Sequence, residues 1–342
     1  MPQILGLMPP IQAALWPALT PHPAVYSLVR FAITFVVLVL PTTAMGATLP
    51  VLASYFVKSA DESGIKVGYL YALNTFGALC GTMLAGFWLL PAIGVRLTNV
   101  TAAAIDVLVA VLMFVVGRAP ALSTSARSTS DLRPPASDPV PEPDGRPPFL
   151  FVVALLAGFA SMALQVLWTR ALSVIIGSST YAFTIILSAF LAGITIGAAG
   201  FSRVLQTRRD MIGTLVTVLA AIGVSAFFCG LYIDRLPFVL QKFLEIQSLT
   251  MTKLHLFNWV LAWLVIFLPT MAMGALFPLL VHLCTDRPQT IARDVGRLYA
   301  VTTLGNILGS VMAGFVIIPV FGIASGLLAM VLIYLGLAAA VA

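Results

Sequence analysis

Charged side chains are the scarcest feature of this 342-residue chain. Asp, Glu, Lys and Arg together make up 9% of it, whereas hydrophobic residues make up 60%. A soluble domain carries about 25% charged residues, because its surface must face water. The composition therefore excludes an ordinary soluble protein and indicates a chain that is surrounded by lipid.

Cysteine and histidine are also rare, and their spacing excludes two further classes. The three cysteines lie in or beside apolar runs without any Cys-x-x-Cys spacing, which excludes a disulfide framework. The three histidines share no metal-ligand spacing, so we expect no metal site. These residues are Cys80, Cys229, Cys284, His22, His255 and His282.

Signals of soluble-type catalysis are missing from the sequence as well. No strand, Gly-rich turn and helix follow one another to hold a dinucleotide or a methionine-derived cofactor. The 12 acidic residues lie almost entirely in or near loops. We therefore expect neither a cofactor nor a nucleic-acid partner, and the net charge of +6 matters through its placement along the chain.

Apolar runs that are long enough to cross a bilayer fill most of the chain. The hydrocarbon core of a bilayer requires about 20 apolar residues in a helix. The sequence therefore predicts an all-α polytopic membrane protein with the lipid bilayer as its environment. We count about nine spans, near 25–46, 67–92, 97–117, 148–170, 179–202, 211–233, 254–283, 295–320 and 322–342.

Two segments are not predicted to span the membrane. Residues 1–24 contain six prolines and no secretory cleavage pattern, and we interpret them as an interfacial segment. Residues 118–147 are rich in Pro and Ser and cannot bury a core, so they predict a cytoplasmic linker. The linker separates an incomplete first membrane repeat, 25–117, from a second repeat, 148–342.

The positive charges predict the orientation of the bundle. Cytoplasmic loops of membrane proteins carry an excess of Lys and Arg. If loop 203–210 is cytoplasmic, alternation of the spans places 12 of the 18 basic residues on that side. We therefore expect an external N-terminus and a cytoplasmic C-terminus in a bacterial inner (plasma) membrane.

An internal repeat is the strongest signal in the chain. The segment Leu40-Pro-Thr-Thr-Ala-Met-Gly-Ala-Thr-Leu-Pro50 recurs as Leu268-Pro-Thr-Met-Ala-Met-Gly-Ala-Leu-Phe-Pro278. The segment 67–77 recurs as 295–305 at the same offset of 228 residues, the difference between positions 268 and 40. An ungapped match of this length predicts two copies of one helical unit.

The two copies differ in length. The second has six spans and the first keeps three, which predicts a 3+6 arrangement of parallel repeats. This is the organisation of a 6+6 transporter of the major facilitator (MFS) type without its first three helices. Since that leaves one side of the repeat interface uncovered, we expect a homodimer or a partner helix there.

Glycines and prolines mark matching positions of the two copies. Gly77, Gly81, Gly305 and Gly309 form small-xxx-small faces, which favour close helix packing in lipid, although a substrate pathway is the alternative. The paired prolines at 41, 50, 269 and 278 indicate either helix ends or breaks that line a transport site.

A few polar residues lie inside the predicted spans. One turn apart on the two equivalent helices, near Tyr71 and Tyr299, they predict either a polar site or hydrogen bonds between helices. They are Asn74, Thr75, Thr302, Thr303 and Asn306. Asp106 is the only acid well inside a span, so it is either a functional residue or a side chain that reaches interfacial water.

The segments Gly158-Phe-Ala-Ser-Met-Ala-Leu-Gln-Val-Leu-Trp-Thr-Arg170 and Gly177-Ser-Ser-Thr-Tyr-Ala-Phe183 resemble the membrane region of spermidine synthase-like proteins. The Pro-Thr-x-Ala-Met-Gly-Ala blocks resemble it too. The resemblance makes Gln165, Trp168, Arg170 and Tyr181 family-motif residues, but the family often has Glu where this chain has Gln165.

The resemblance implies a transporter-like membrane domain that is followed by a cytoplasmic aminopropyltransferase domain. This sequence ends at Ala342 after its last span, so the catalytic equipment is expected outside it. Three functions stay open: anchoring or supplying polyamine to such a domain or subunit, stand-alone transport of a small solute, with a cation as one alternative, and a non-catalytic membrane scaffold. The sequence leaves open whether the protein is part of an enzyme.

Overall fold

The computed structural model describes residues 23–57, 59, 62–118, 148–204, 210–246, 250–285 and 290–342. The predicted interfacial segment 1–24, apart from its last two residues, and the predicted linker 118–147, apart from residue 118, lie outside this part of the chain. Within it, the secondary structure is helical and no strand is present.

Ten α-helices follow one another along the described chain. They are α1 (Pro23–Phe56), α2 (Ser63–Leu84), α3 (Leu90–Arg118), α4 (Phe149–Ile176), α5 (Thr180–Val204), α6 (Met211–Ile233), α7 (Leu236–Ile246), α8 (Met251–Cys284), α9 (Ile291–Met312) and α10 (Gly322–Val341). π-Helical turns at Ala85–Leu89 and Ala313–Phe321 continue α2 and α9.

Seven runs among these described residues are long and apolar enough to cross a membrane, so the chain is an integral membrane protein. Two of the runs, Ser63–Val115 and Ile291–Val341, are 53 and 51 residues long. Each contains a glycine in the left-handed region, Gly94 with φ 72° and Gly322 with φ 79°. The chain therefore turns within both runs at a position that favours glycine.

The bounds of the helices follow the offset of the sequence repeat. Helices α1 and α8 each have 34 residues, and α2 and α9 each have 22. Position 23 plus 228 gives 251, and position 63 plus 228 gives 291, so each pair begins at equivalent residues. The two π-helical turns and the glycines at 94 and 322 keep the same offset.

The prolines of the repeat lie inside helices. Helix α8 continues through Pro269 and Pro278, and α1 continues through Pro41 and Pro50. A proline leaves the carbonyl four residues earlier without its helical donor. In α8 that carbonyl belongs to Val265, and the Cys229 thiol on α6 donates a hydrogen bond to it. A neighbouring helix thus satisfies the backbone at this proline, which lets the helix run on.

The described chain divides into two compact units. One holds α3 with the first residues of α1, and the other holds α1 from Phe31, α2, and α4 to α10. In the second unit α5 packs along α8, α9 along α4, α2 along α5, and α6 between α8 and α10. The largest fully buried side chains, among them Trp168 and Tyr334, lie in this unit.

Candidate functional site

A polar cavity lies inside the larger unit, where α2, α4, α5, α8, α9 and α10 meet. Its volume is about 150 Å³, room for about five water molecules at ~30 Å³ each. The lining side chains include seven that carry hydroxyl or amide groups: Tyr71, Ser161, Tyr299, Thr302, Thr303, Asn306 and Tyr334. None of the described side chains that line it is charged.

Aromatic rings form one wall of this central cavity. The ring centroid of Phe277 lies 5.2 Å from that of Tyr71 and 5.9 Å from that of Tyr299. Tyr71 and Tyr299 are 228 residues apart, so α2 and α9 contribute a tyrosine from equivalent positions of the repeat. The wall therefore presents two phenol groups on either side of one apolar ring.

The opposite wall is built from the small residues of α4. The Tyr334 hydroxyl donates to the Ala157 carbonyl oxygen at 3.0 Å, and Ser161 Oγ donates to Met273 Sδ at 3.4 Å. A Cβ on Gly158 would lie 2.6 Å from the Thr302 carbonyl oxygen, so only glycine allows α9 to approach this closely. Close approach of α4 and α9 closes the cavity on this side.

Three of the polar residues that the sequence singled out line the cavity, namely Thr302, Thr303 and Asn306. Asn74 is exposed, and the buried Thr75 donates its hydroxyl to the Tyr71 carbonyl oxygen at 2.8 Å within α2. Neither lines the cavity. Asp106 is an exposed residue of α3, in the other unit, and it occupies the position that is equivalent to Tyr334.

The four residues that carry the sequence resemblance lie outside the cavity lining. Trp168 is 1% exposed, Gln165 is half-buried, and Arg170 is exposed. The ring of Tyr181 lies 4.8 Å from that of His255 and 5.9 Å from that of Phe87, measured between centroids. Trp168 is thus a core residue, and the ring contact of Tyr181 with His255 joins α5 to α8.

The four glycines of the small-xxx-small faces fall into two environments. A Cβ on Gly305 or Gly309 would meet the backbone of Leu155 and Phe159 on α4, so these two glycines lie in a close helix contact. A Cβ on Gly77 or Gly81 would find no atom of the described residues within 4 Å. Helix packing at Gly77 and Gly81 stays a prediction.

Sequence reasoning missed two cavity residues, Ser161 and Tyr334. Ser161 lies in the segment Gly158-Phe-Ala-Ser161. The small residues of this segment could have indicated a close helix contact, but the sequence analysis did not use them. Tyr334 stands in an apolar run near the end of the chain, 177 residues from the Ala157 carbonyl to which it donates. Nothing in the local sequence indicates that partner.

A second, larger groove of about 510 Å³ lies between α4, α6 and α10. Its lining is apolar apart from Asp234 at the end of α6, so it offers no set of converging polar groups. Among the described residues, no group of three or more His, Cys, Asp and Glu could hold a metal ion. The central cavity is therefore the candidate site.

Comparison of the chain with protein-family models, with curated proteins and with solved structures gives no match.

Proposed function

We propose that this chain is the integral membrane domain of a spermidine synthase-like protein. In this proposal the central cavity binds a linear polyamine and supplies it to an aminopropyltransferase domain or subunit on the cytoplasmic side, which the chain also anchors. The observation that carries the proposal is the cavity itself, which has seven hydroxyl- or amide-bearing side chains in its lining and is lined by both of the equivalent helices α2 and α9.

The chemistry of the cavity suits one end of a short amine. An ammonium group is attracted to the face of an aromatic ring, and Tyr71, Phe277 and Tyr299 provide three. The hydroxyl oxygens of Thr303 and Ser161 can accept its N–H groups. Because the lining has no carboxylate, burial of the positive charge is only partly compensated. We therefore expect weak, reversible binding, which suits a site that releases its ligand to a catalytic domain.

The proposal includes a finer architecture of nine spans in two parallel repeats, three in the first and six in the second. The shared bounds of α1 and α8 and of α2 and α9 support it. So do the turns at Gly94 and Gly322, which divide two long apolar runs into four helices. We place the N-terminus outside and the C-terminus in the cytoplasm of a bacterial inner membrane, on the distribution of Lys and Arg.

A stand-alone transporter of a small solute is the second candidate. The observation that favours it is the pair of proline-containing helices α1 and α8, which occupy equivalent positions of the two repeats. Both helices continue through their prolines, and in transporters with internal repeats the site lies at the repeat interface, where the equivalent helices α2 and α9 line the central cavity. A third candidate, a non-catalytic scaffold, requires no ligand in the cavity.

The first test measures binding of labelled spermidine to the full chain in lipid nanodiscs, and accumulation in proteoliposomes. We expect Tyr299→Phe combined with Thr303→Val to weaken binding about tenfold, or ~1.4 kcal/mol, because both changes remove hydroxyl groups at nearly constant volume. Ser310→Ala is the matched control on the same helix, since Ser310 donates to the Ile307 carbonyl oxygen and lies outside the cavity.

The outcomes separate the three candidates. Binding without accumulation supports supply to a catalytic partner, and accumulation inside the vesicles supports the transporter. Absence of binding, or binding that the double variant leaves unchanged, contradicts both and favours the scaffold.

Replacement of Asp106 by asparagine tests the acid that the sequence places well inside a span. Since Asp106 is exposed on α3 and does not line the cavity, we expect Asp106→Asn to leave spermidine binding and any flux within about twofold of the parent chain. Equilibrium binding in nanodiscs and vesicle uptake provide the measurement. A tenfold loss in either assay would show that Asp106 takes part in the mechanism and would overturn the assignment of the site.

A further inference from the structure

Equivalent glycines of the two repeats have different surroundings. On α9, Gly305 and Gly309 lie against the backbone of α4. The equivalent glycines on α2, Gly77 and Gly81, have open space at the same positions among the described residues. Two copies of one helix thus carry the same face, and only the copy in the second repeat has a helix packed on it.

The same difference recurs between α8 and α1. A Cβ on Gly274 of α8 would meet the backbone of Ile194 on α5, whereas one on the equivalent Gly46 of α1 would meet only a ring carbon of Tyr299 at 3.9 Å. The extent of burial agrees. In the most apolar window of the run Met251–Cys284, 72% of the residues are buried. In the corresponding window of Leu28–Phe56, none is buried.

Helix α2 contacts α5 through one of its faces. The equivalent face of α9 is open among the described residues. Gly68 and Gly86 of α2 lie against Ser202 and Thr184 of α5. At the equivalent positions on α9, Gly296 has only a Pro50 carbon at 3.9 Å, and Gly314 has no described atom within 4 Å of its Cβ position. For each pair of equivalent glycine faces, the structure shows what packs on one copy, and the other copy is open among the described residues.

We infer that the open faces of α1, α2 and α9 are the docking surface for a three-helix membrane unit of the α4–α6 type. This inference rests on the repeat architecture that is part of the proposed function. The partner lies outside the 342-residue sequence, and its helices carry small residues in the pattern of Gly158, Gly193 and Gly197, which allow backbone contact.

A second copy of the chain is a poor occupant because the numbers do not match. By the sequence repeat, each copy has two segments of the α8–α10 type, the first being α1–α3. It has only one segment of the α4–α6 type, and that segment is already packed on α8–α10. Two copies would leave two such faces open. Lipid is also a poor occupant, because Asn74 would then present its amide to hydrocarbon beside Gly77 and Gly81.

The test uses this chain's own second repeat as the probe. Residues 148–246, with a separate tag, are co-expressed with the full chain, and co-purification in mild detergent is measured. We expect capture near one to one, reduced at least tenfold by Gly77→Leu with Gly81→Leu in the full chain. Gly200→Leu is the matched control, since its Cβ position is also open and it lies on α5, away from the proposed surface.

A second experiment uses a fusion protein, in case the separate probe does not insert into the membrane by itself. Residues 148–228 placed directly before Met1 restore the register of the second repeat, because position 229 is equivalent to position 1. The fusion should raise Tm by more than about 5 °C, and Gly81→Leu should cancel that gain while leaving the parent chain unchanged.

Three results would overturn the inference: no capture and no gain in Tm, capture that Gly77→Leu with Gly81→Leu does not weaken, or a dimer of the full chain that Gly81→Leu dissociates. The first two leave lipid as the occupant or place the contact elsewhere, and the third identifies a second copy. Spermidine binding is measured separately. If the probe does not dock but spermidine still binds, only the proposed partner is refuted. If spermidine does not bind but the probe still docks, only the proposed polyamine function is refuted.

Discussion

Replacement of Gly309 by leucine is expected to abolish the folded protein, whereas the same change at the equivalent Gly81 leaves it intact. A side chain at 309 would run into the backbone of Phe159, which cannot yield as a flexible side chain can. The helices α4 and α9 would have to separate, and the cost of such overpacking exceeds about 3 kcal/mol. At position 81 the side chain would enter open space.

The measurement is the yield and elution profile of the detergent-purified variants, followed by thermal unfolding. Gly305→Leu should behave like Gly309→Leu, because a side chain there would meet the backbone of Leu155. Gly77→Leu should behave like Gly81→Leu. Equal loss at 81 and 309 would contradict the structure of the first repeat, since it would mean that a helix already packs on that face.

The prolines show that the local sequence is not sufficient to predict where a helix ends. The sequence predicted spans that end near 46 and 283, and it left open whether the prolines end or break helices. Helix α1 continues to Phe56. What allows continuation past Pro269 is the Cys229 thiol at the Val265 carbonyl, a donor that lies 36 residues earlier on another helix. Proline alone cannot reveal such a donor, whereas the repeat did predict that the two helices would match.

The cavity shows the same limit for side chains. Polarity inside an apolar run identified Thr302, Thr303 and Asn306, and the structure brings them together around the cavity. Polarity also identified Asn74, which is equivalent to Thr302, but no helix of the α4 type packs on α2, and Asn74 stays exposed. Which of two identical faces becomes a site depends on the helix that covers it, and a single sequence does not provide that information.

Replacement of Trp168 by alanine is the second large effect that we expect. Trp168 is 1% exposed in the core of the larger unit, and its loss would leave a cavity among packed helices. The expected cost is on the order of 3 kcal/mol. Its indole Nε1 has no hydrogen-bond acceptor among the described residues, so the ring volume is what the fold uses. Trp168→Phe should therefore lose about a third as much stability as the alanine variant.

Thermal unfolding of both variants, combined with spermidine binding, decides between a packing role and a functional role for this family-motif residue. If Trp168 only packs, binding follows stability, and the phenylalanine variant binds as the parent does. If the phenylalanine variant keeps its Tm but binds at least tenfold more weakly, the indole N–H has a functional partner. A buried donor without an acceptor costs about 1–3 kcal/mol, so a solute or bound water that supplied the acceptor would recover that energy on binding.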